Sequence, residues 1–338
     1  MDITFVIIAY NQEKRIVEAL ESIKFQVLHY LMGKKAQLII SDDCSEDNTV
    51  LYIKKWLAEN QTIFAQVDVL ISEVNNGTCR NVGKAYRLIQ AERFVSFAAD
   101  DLLADIDILT TLCKYDQDKL VACIPYAFSE TKIVLDKKRY IDWMTGYFYT
   151  SEQILECSRR DSALINGGFY SSKLLSNEIL VFMENFKFLD DQARYFYMLL
   201  HNKDIKFDFC CDSILMYRLS DAQVTNRKGR YWKRLIKDKK KLIKYTIKEE
   251  PKLQNKFSIV FSLVAMRFPL VYDLLFAPFD VTIHKVNDVQ LRNSPIIEEM
   301  INAKMNYEII KEKEKYLQVI RDKAEQFMLK EGLENIKV

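Results

Sequence analysis

The chain of 338 residues is poor in the residues that several common classes of protein require. It has only eight glycines, no G-x-G-x-x-G follows its first apolar segment, and Gly83-Lys84 lacks the upstream glycine of a P-loop. These absences argue against a Rossmann-type oxidoreductase and a P-loop nucleotidase. The formal net charge of only +2 argues against a nucleic-acid partner, because such binders usually carry a clear basic excess.

Cysteine and histidine are too scattered to suggest a zinc site. The seven cysteines are an odd number without a C-x-x-C pair, which favours reduced thiols, and the three histidines lie far apart. A metal ion would therefore be bound by carboxylates, which favours magnesium or manganese.

No apolar run is long enough to span a bilayer. The N-terminal run ends at residue 9 and lacks the basic start of a signal peptide, so we expect the chain to begin in the cytosol. The apolar run 257–266 is followed by Arg267, Pro269 and Asp273, which break it well short of the roughly 20 residues of a spanning helix.

Short apolar segments alternate with amphipathic ones over the first 105 residues. Strands are predicted at 3–9, 37–41, 67–72 and 94–98, and helices at 16–27, after 49 and at 78–91. This alternation predicts an α/β fold with a mostly parallel sheet flanked by helices on both faces.

Polar residues follow each of the four predicted strands. They are Tyr10-Asn11, Asp42-Asp43, Asn75-Asn76-Gly77 and Asp100-Asp101. The carboxyl ends of parallel strands share one edge of the sheet, where α/β proteins bind ligands, so the sequence predicts a site there. Asp100-Asp101 suits a magnesium-type ion on a diphosphate, which takes only one or two protein carboxylates. The alternative is that this pair caps the next helix.

Composition changes after residue 226. Lysine and arginine crowd residues 227–248, and Asp238 is almost the only acid among them. Interleaved Trp232, Leu235 and Leu242 predict a basic amphipathic helix, so we expect peripheral contact with an anionic membrane through residues 228–279. The alternative is a solvated basic face over a packed helical subdomain.

The C-terminal segment 296–330 is charged and has a helical pattern. Its apolar residues recur at near-heptad spacing: Ile310, Leu317, Ile320, Ala324 and Phe327. This spacing predicts either a short coiled coil that joins two copies of the chain or packing onto the preceding domain.

The motifs, taken together and in order, resemble those of family 2 glycosyltransferases of the GT-A (Rossmann-like) fold. The resemblance covers roughly residues 3–220. It rests on FVIIAYNQE at 5–13, IISDDCSEDNT at 39–49, NG at 76–77 with RNVGKA at 80–85, FAADD at 97–101 and FLDDQAR at 188–194.

The resemblance implies a role for each matching residue of the donor site. Asp43 would accept from the base N–H of a uridine nucleotide, and Tyr10 and Glu13 would line the nucleoside pocket. Arg80 would lie near the nucleotide. Asp100 would bind the metal, Mn²⁺ or Mg²⁺, with Asp101 beside it in support.

The acidic pair Asp190-Asp191 corresponds to the family's acceptor-side carboxylates, and Asp191 would be the catalytic base. An inverting transfer needs one carboxylate within hydrogen-bond reach of the acceptor hydroxyl. The alternative is that both acids merely stabilise a helix N-terminus.

Three residues depart from the family pattern. Cys44 stands where glycine is usual, and Ala98 stands where many members carry the first Asp of the metal motif. Ser220 replaces the histidine that is usual in the block containing Arg218. These departures motivate a rival interpretation, a catalytically degenerate scaffold. A sugar-nucleotide pyrophosphorylase is disfavoured, because its Gly-rich, Arg-containing loop is absent after the first strand.

The resemblance thus implies a GT-A catalytic domain at 1–225, with a nucleotide-binding half at 1–105 and an acceptor half at 106–225. A helical C-terminal extension follows at 226–338. The expected activity is metal-dependent, inverting transfer from a UDP-sugar to a saccharide or lipid-linked acceptor. We expect it in bacterial surface polysaccharide synthesis, in the cytoplasm or peripherally on the inner face of the plasma membrane.

Overall fold

The computed structural model describes residues 1–135, 140–141, 167–168, 170–202, 205–219, 230–249 and 293–333. Ser220 and the apolar segment 257–279 lie outside the described residues, so the predictions that involve them are not addressed by the structure.

Strands and helices alternate along the first half of the chain. The strands are β1 (Ile3–Ala9), β2 (Ala36–Asp42), β3 (Gln66–Ile71), β4 (Phe94–Ala98), β5 (Leu102–Leu103), β6 (Lys119–Cys123), β7 (Tyr126–Ser129), β8 (Lys132–Ile133), β9 (Gly167–Gly168), β10 (Lys206–Cys210) and β11 (Leu215–Arg218). The helices are α1 (Ile16–Tyr30), α2 (Thr49–Asn60), α3 (Thr78–Tyr86), α4 (Ile108–Cys113), α5 (Asn177–Met183), α6 (Asp190–His201), α7 (Arg230–Glu249), α8 (Pro295–Lys304) and α9 (Tyr307–Lys330).

The main sheet has the order β3-β2-β1-β4, and all its strands are parallel. Successive side chains of a strand point to opposite faces, and helices cover both. Phe5 packs in one core cluster with Trp56 of α2. Val6 and Ile39 pack in a second cluster with Val82 of α3. The predicted α/β fold with a parallel sheet and flanking helices is therefore confirmed.

The chain order creates a switch point beside β1. The chain runs outward from β1 through β2 to β3 and then crosses to β4 on the other side of β1. Ligands in open α/β sheets bind at such a point, outside the carboxyl ends of the strands. A second sheet, β5-β11-β7-β8, brings the end of β11 next to the loop after β4.

Helix α3 is shorter than its sequence pattern predicts. It ends at Tyr86 rather than Ala91, because the N–H of Leu88 donates to the carbonyl of Ala85 and closes a tighter turn. The N–H of Gln90 then donates to the side chain of Gln37 in β2, which draws the chain back toward the sheet.

The C-terminal helix α9 packs on the first domain. Leu317 and Ile320 are buried in one cluster with Leu102 of β5, and the Tyr316 hydroxyl donates to the carbonyl of Leu103 at 2.8 Å. The heptad-like face is therefore occupied within the chain. This corrects the expectation of a coiled coil between two copies through that face, and the packing alternative describes it instead.

Helix α7 is amphipathic, as predicted, and its apolar side is covered. Leu235 and Leu242 are buried in one cluster with Phe186 and Leu189, whereas Lys237 and Lys244 are exposed. The apolar face is thus not available to enter a membrane surface, which corrects that part of the expectation. No helix in the described part of the chain combines the length and hydropathy that a bilayer span requires.

Two leucines of α9 test whether the docking of this helix stabilises the fold. Leu317 is 1% exposed and Leu329 is 53% exposed. We expect Leu317→Ala to lower the free energy of unfolding by about 2–5 kcal/mol, because it leaves a cavity. Leu329→Ala is the matched control and should change it by about 0.5 kcal/mol or less. Equal losses in chemical denaturation would contradict this packing.

Candidate active site

The loops after β1 and β2 are tied together by reciprocal hydrogen bonds. The N–H of Asn11 donates to the Ser45 hydroxyl at 2.8 Å, and the N–H of Glu46 donates to Oδ1 of Asn11 at 2.9 Å. The Glu13 carboxylate accepts from the N–H of Asn48 at 3.1 Å. These bonds satisfy backbone groups beyond the strand ends. They hold the two loops together at the sheet edge where the sequence predicts a site.

Asp43 links the loop after β2 to the loop after β3. Its Oδ1 accepts from the N–H of Asn76 at 2.8 Å, its Oδ2 accepts from the N–H of Gly77 at 2.7 Å, and the residue is 3% exposed. Burial raises the pKa of this carboxyl, while the two N–H groups and the charges of Lys187 and Lys84 oppose the rise. Each carboxylate oxygen keeps a second lone pair for a ligand N–H.

Gly77 is the point where the segment before α6 contacts the loop after β3. Its φ is +89°, and a Cβ there would lie 2.3 Å from Cγ and 2.7 Å from the carbonyl oxygen of Lys187. The N–H of Cys79 donates to that same carbonyl at 3.2 Å. Only glycine fits both the conformation and the space.

Tyr10 and Arg80 lie at the same edge. Tyr10 directly follows β1 and is half-buried. Arg80 is exposed on α3, and no ion pair among the described residues includes it. Its charge is therefore available to an anionic ligand.

Arg218 holds the Asp100-Asp101 loop. Its N–H donates to Oδ1 of Asp101 at 2.8 Å, and its Nε donates to the backbone carbonyl of Asp100 at 2.6 Å. The guanidinium pairs with Glu18 of α1 and lies over the ring of Phe128, 4.5 Å from the centroid. Arg218 is 2% exposed, so this network fixes the acidic loop from within the core.

The acidic loop offers oxygen donors that suit a hard cation. Burial, and then the charge of Asp100, raise the pKa of Asp101, a repulsion that a divalent cation would relieve. Within the described residues no group of three or more His, Cys, Asp or Glu side chains is arranged to hold a metal. The donor set thus fits a cation whose other ligands come from a diphosphate. Oδ1 of Asp101 already accepts from the N–H of Arg218.

Asp190 and Asp191 occupy the first turn of α6 but have different partners. Asp190 lies 3.3 Å from Nη2 of Arg194, whose Nη1 donates to the Tyr86 hydroxyl at 2.7 Å. Burial, and then the charge of Asp191, raise the pKa of Asp190 to about 6. Asp191 accepts from the N–H of Gln192 at 2.7 Å and has no ion pair with a described residue. Among the described residues, Asp190 is thus the one of the two carboxylates that forms an ion pair with an arginine.

Comparison with known proteins shows to which family the chain belongs. Residues 4–225 match the family model described as glycosyl transferase family 2, which is more than half of the chain. The chain belongs to glycosyl transferase family 2. No curated protein gives a significant match to it.

Solved structures agree on the fold. Residues 1–349 of S. aureus TarS are 14% identical, with a TM-score of 0.55, over 98% of this chain and 92% of that one. The complex of TarS 1–349 with UDP-GlcNAc is 14% identical, with a TM-score of 0.52, over 98% of this chain and 92% of that one. The mannosyltransferase PcManGT from Pyrobaculum calidifontis, in complex with GDP-Man and Mn²⁺, is 13% identical, with a TM-score of 0.50, over 96% of this chain and 86% of that one. At these identities the likeness shows the fold alone, and it supports the predicted GT-A type.

Sequence reasoning on this glycosyltransferase did not find three residues that organise the site. Glu18 and Lys187 carry no local motif, so nothing in the pattern distinguishes them. Asp238 of α7 accepts from the N–H groups of Lys187 and Phe188. Its signal is in the sequence, because it is almost the only acid in a basic segment.

The raised pKa of Asp190 predicts a pH dependence. Asp190 takes up a proton as the pH falls through about 6, which removes the negative charge that pairs with Arg194 beside Asp191. We expect kcat/KM for glycosyl transfer to fall below about pH 6. Because the folded-state pKa lies above the ordinary value, the stability from this group is greatest at acid pH and declines as the pH rises through 6.

Asp190→Asn tests this assignment, and Asp118→Asn, on an exposed loop, is the matched control. The acid limb of the kcat/KM profile should move away from pH 6 in Asp190→Asn and stay in place in Asp118→Asn. An unchanged limb in Asp190→Asn would contradict the assignment.

Proposed function

We propose that this chain is an inverting, metal-dependent glycosyltransferase of the hexosyl type that moves a sugar from a UDP-sugar to an acceptor hydroxyl. One observation carries the proposal. Asp43 binds the N–H of Gly77, and Gly77 is in contact with Lys187 just before the Asp190-Asp191 pair. Asp43, which suits the donor, and the Asp190-Asp191 pair, which suits the acceptor, are thus linked through Gly77 and Lys187.

The nucleotide is held at the edges of the first three strands. Asp43 accepts from the base N–H, using the lone pairs that Asn76 and Gly77 leave open. Tyr10 and Glu13 form the wall of the nucleoside pocket, and the bond from Asn48 fixes the Glu13 carboxylate. TarS was solved with UDP-GlcNAc and PcManGT with GDP-Man, and the role proposed for Asp43 favours UDP of these two nucleotides.

The diphosphate lies beside Asp100 and Arg80. Asp100 would hold Mn²⁺ or Mg²⁺, and Asp101, which is bonded to Arg218, would support it. PcManGT was solved with Mn²⁺. The bound ion supplies positive charge that offsets the negative charge on the departing diphosphate. Arg80 adds a cation without needing to leave another partner among the described residues.

The acceptor reacts at the start of α6. Asp191 accepts the proton of the attacking hydroxyl, and the ion pair of Asp190 with Arg194 holds the first turn of the helix. One base on the face opposite the leaving group is the requirement of an inverting transfer.

The biological setting that we propose is bacterial surface polysaccharide synthesis, with a saccharide or lipid-linked acceptor at the inner face of the plasma membrane. The family resemblance and the exposed lysines of α7 support it. Because the apolar side of α7 is covered, the membrane contact is electrostatic.

A catalytically degenerate scaffold is the second candidate. The observation in its favour is Ala98, exposed at the end of β4 where many family members carry an aspartate. Hydrolysis of a UDP-sugar in the presence of Mn²⁺ separates the two candidates, because a scaffold releases no UDP.

The donor site is tested by calorimetric titration of UDP, GDP, CDP and dTDP with and without Mn²⁺. We expect UDP to bind only with the metal, and Asp100→Ala to weaken binding at least about tenfold, a loss of about 1.4 kcal/mol. Asp118→Ala is the control and should bind as the wild type does. Binding without metal would remove Asp100 from its role, and no binding of any nucleotide would favour the scaffold.

Asp191→Asn tests the acceptor side within the same series. It should bind UDP normally but lose transfer by about 10²–10⁴-fold, the usual contribution of a general base. Transfer within a few-fold of wild type would contradict the assignment of Asp191.

Flotation with vesicles tests the membrane contact. We expect the intact protein to float with phosphatidylglycerol vesicles at low salt and to be released by high salt, because exposed charges are screened. Replacing Lys237, Lys240 and Lys244 with glutamine should reduce flotation, and neutral vesicles are the control. Absence of flotation at low salt would end the membrane proposal.

A further inference from the structure

Asp238 is a buried acid on a basic helix. It is 8% exposed, whereas Lys237, Lys240 and Lys241 of the same helix are exposed. Its Oδ2 accepts from the N–H of Lys187 at 2.7 Å and from the N–H of Phe188 at 2.9 Å. Both bonds end on one oxygen and are charge-assisted.

These two N–H groups need an external acceptor. They belong to the two residues before Leu189, the N-cap residue of α6, so they lie outside the helix and take no part in its backbone bonds. A buried N–H without a partner is costly. Asp238, on a different helix, therefore anchors the segment that leads into α6.

The anchored segment also contacts the loop after β3 and the start of α3. The carbonyl of Lys187 accepts from the N–H of Cys79, its Nζ lies 3.5 Å from the carbonyl of Asn75, and its Cγ fills the space beside Gly77. Asp238 thus holds Lys187 on one side. On the other side, Lys187 packs against the loop whose N–H groups donate to Asp43.

We propose that Asp238 is a positioning residue for glycosyl transfer, which fixes the loop before α6 so that Asp191 and the Asp43 loop keep their relative placement. This rests on the proposed function. Asp238 lies beyond residue 225, where the family match ends, so the extension contributes to the active site by support rather than by contact with substrate.

Three variants of α7 separate positioning from simple stability. Asp238→Ala removes both hydrogen bonds. Asp238→Asn removes the charge but keeps an oxygen that can accept both N–H groups. Lys241→Ala is the matched control, because Nζ of Lys241 donates to the carbonyl of Asn185 in the same region at 2.8 Å without touching the two N–H groups.

We expect Asp238→Ala to lower kcat at saturating donor by about 10- to 100-fold, the scale of loss for a misplaced reacting group, and to weaken UDP binding. Asp238→Asn should recover kcat to within a few-fold of wild type, and Lys241→Ala should retain it. Melting temperatures, measured in parallel, identify any loss that follows from unfolding. Equal kcat in Asp238→Ala and wild type, or an equal loss in Asp238→Asn, would overturn the proposal.

Hydrogen–deuterium exchange of a peptide covering residues 186–189 makes the test independent of the proposed function. The amides of Lys187 and Phe188 should exchange faster in Asp238→Ala than in wild type and in Lys241→Ala. Unchanged exchange would overturn the anchor itself, whether or not the wild type transfers sugar. If exchange is faster in Asp238→Ala but the wild type transfers no sugar, the anchor stands and the proposed function is wrong.

Discussion

The contact between Gly77 and Lys187 is the constraint on which the candidate site depends. On one side, Asp43 holds the backbone of Gly77 and Asn76 and so joins the second and third strand ends. On the other side, Lys187 leads directly into the helix that begins with Asp190. A side chain at position 77 would collide with Lys187. The absence of a Cβ therefore lets the loop after β3 approach the segment before α6 closely.

The sequence predicted much of the sheet because its information there is local. Apolar runs of the length of a strand placed β1 and β4 at their observed bounds, and the polar residues that follow them lie at one edge. The predicted end of α3 was wrong, since Leu88 and Ile89 continue an apolar pattern in a segment that turns back toward the sheet. Periodicity records which residues are buried, but not the backbone conformation that buries them.

The supports of the site could not be predicted in the same way, because they join distant parts of the chain. Arg218 reaches Asp101 across 117 positions, and Asp238 reaches Lys187 across 51. No spacing rule connects such pairs. The basic helix shows the same limit: its amphipathic pattern was correct, yet only the fold shows that its apolar side covers α6 and leaves only the charged side to solvent.

A crystal structure of the protein with UDP and Mn²⁺ tests the central claim most directly. The account predicts uracil within hydrogen-bond distance of Asp43, and the metal between Asp100 and the diphosphate. It also predicts that Gly77 and Lys187 remain in contact while Asp191 faces the open side of the donor site. A nucleotide bound away from Asp43, or a metal that does not touch Asp100, would contradict it.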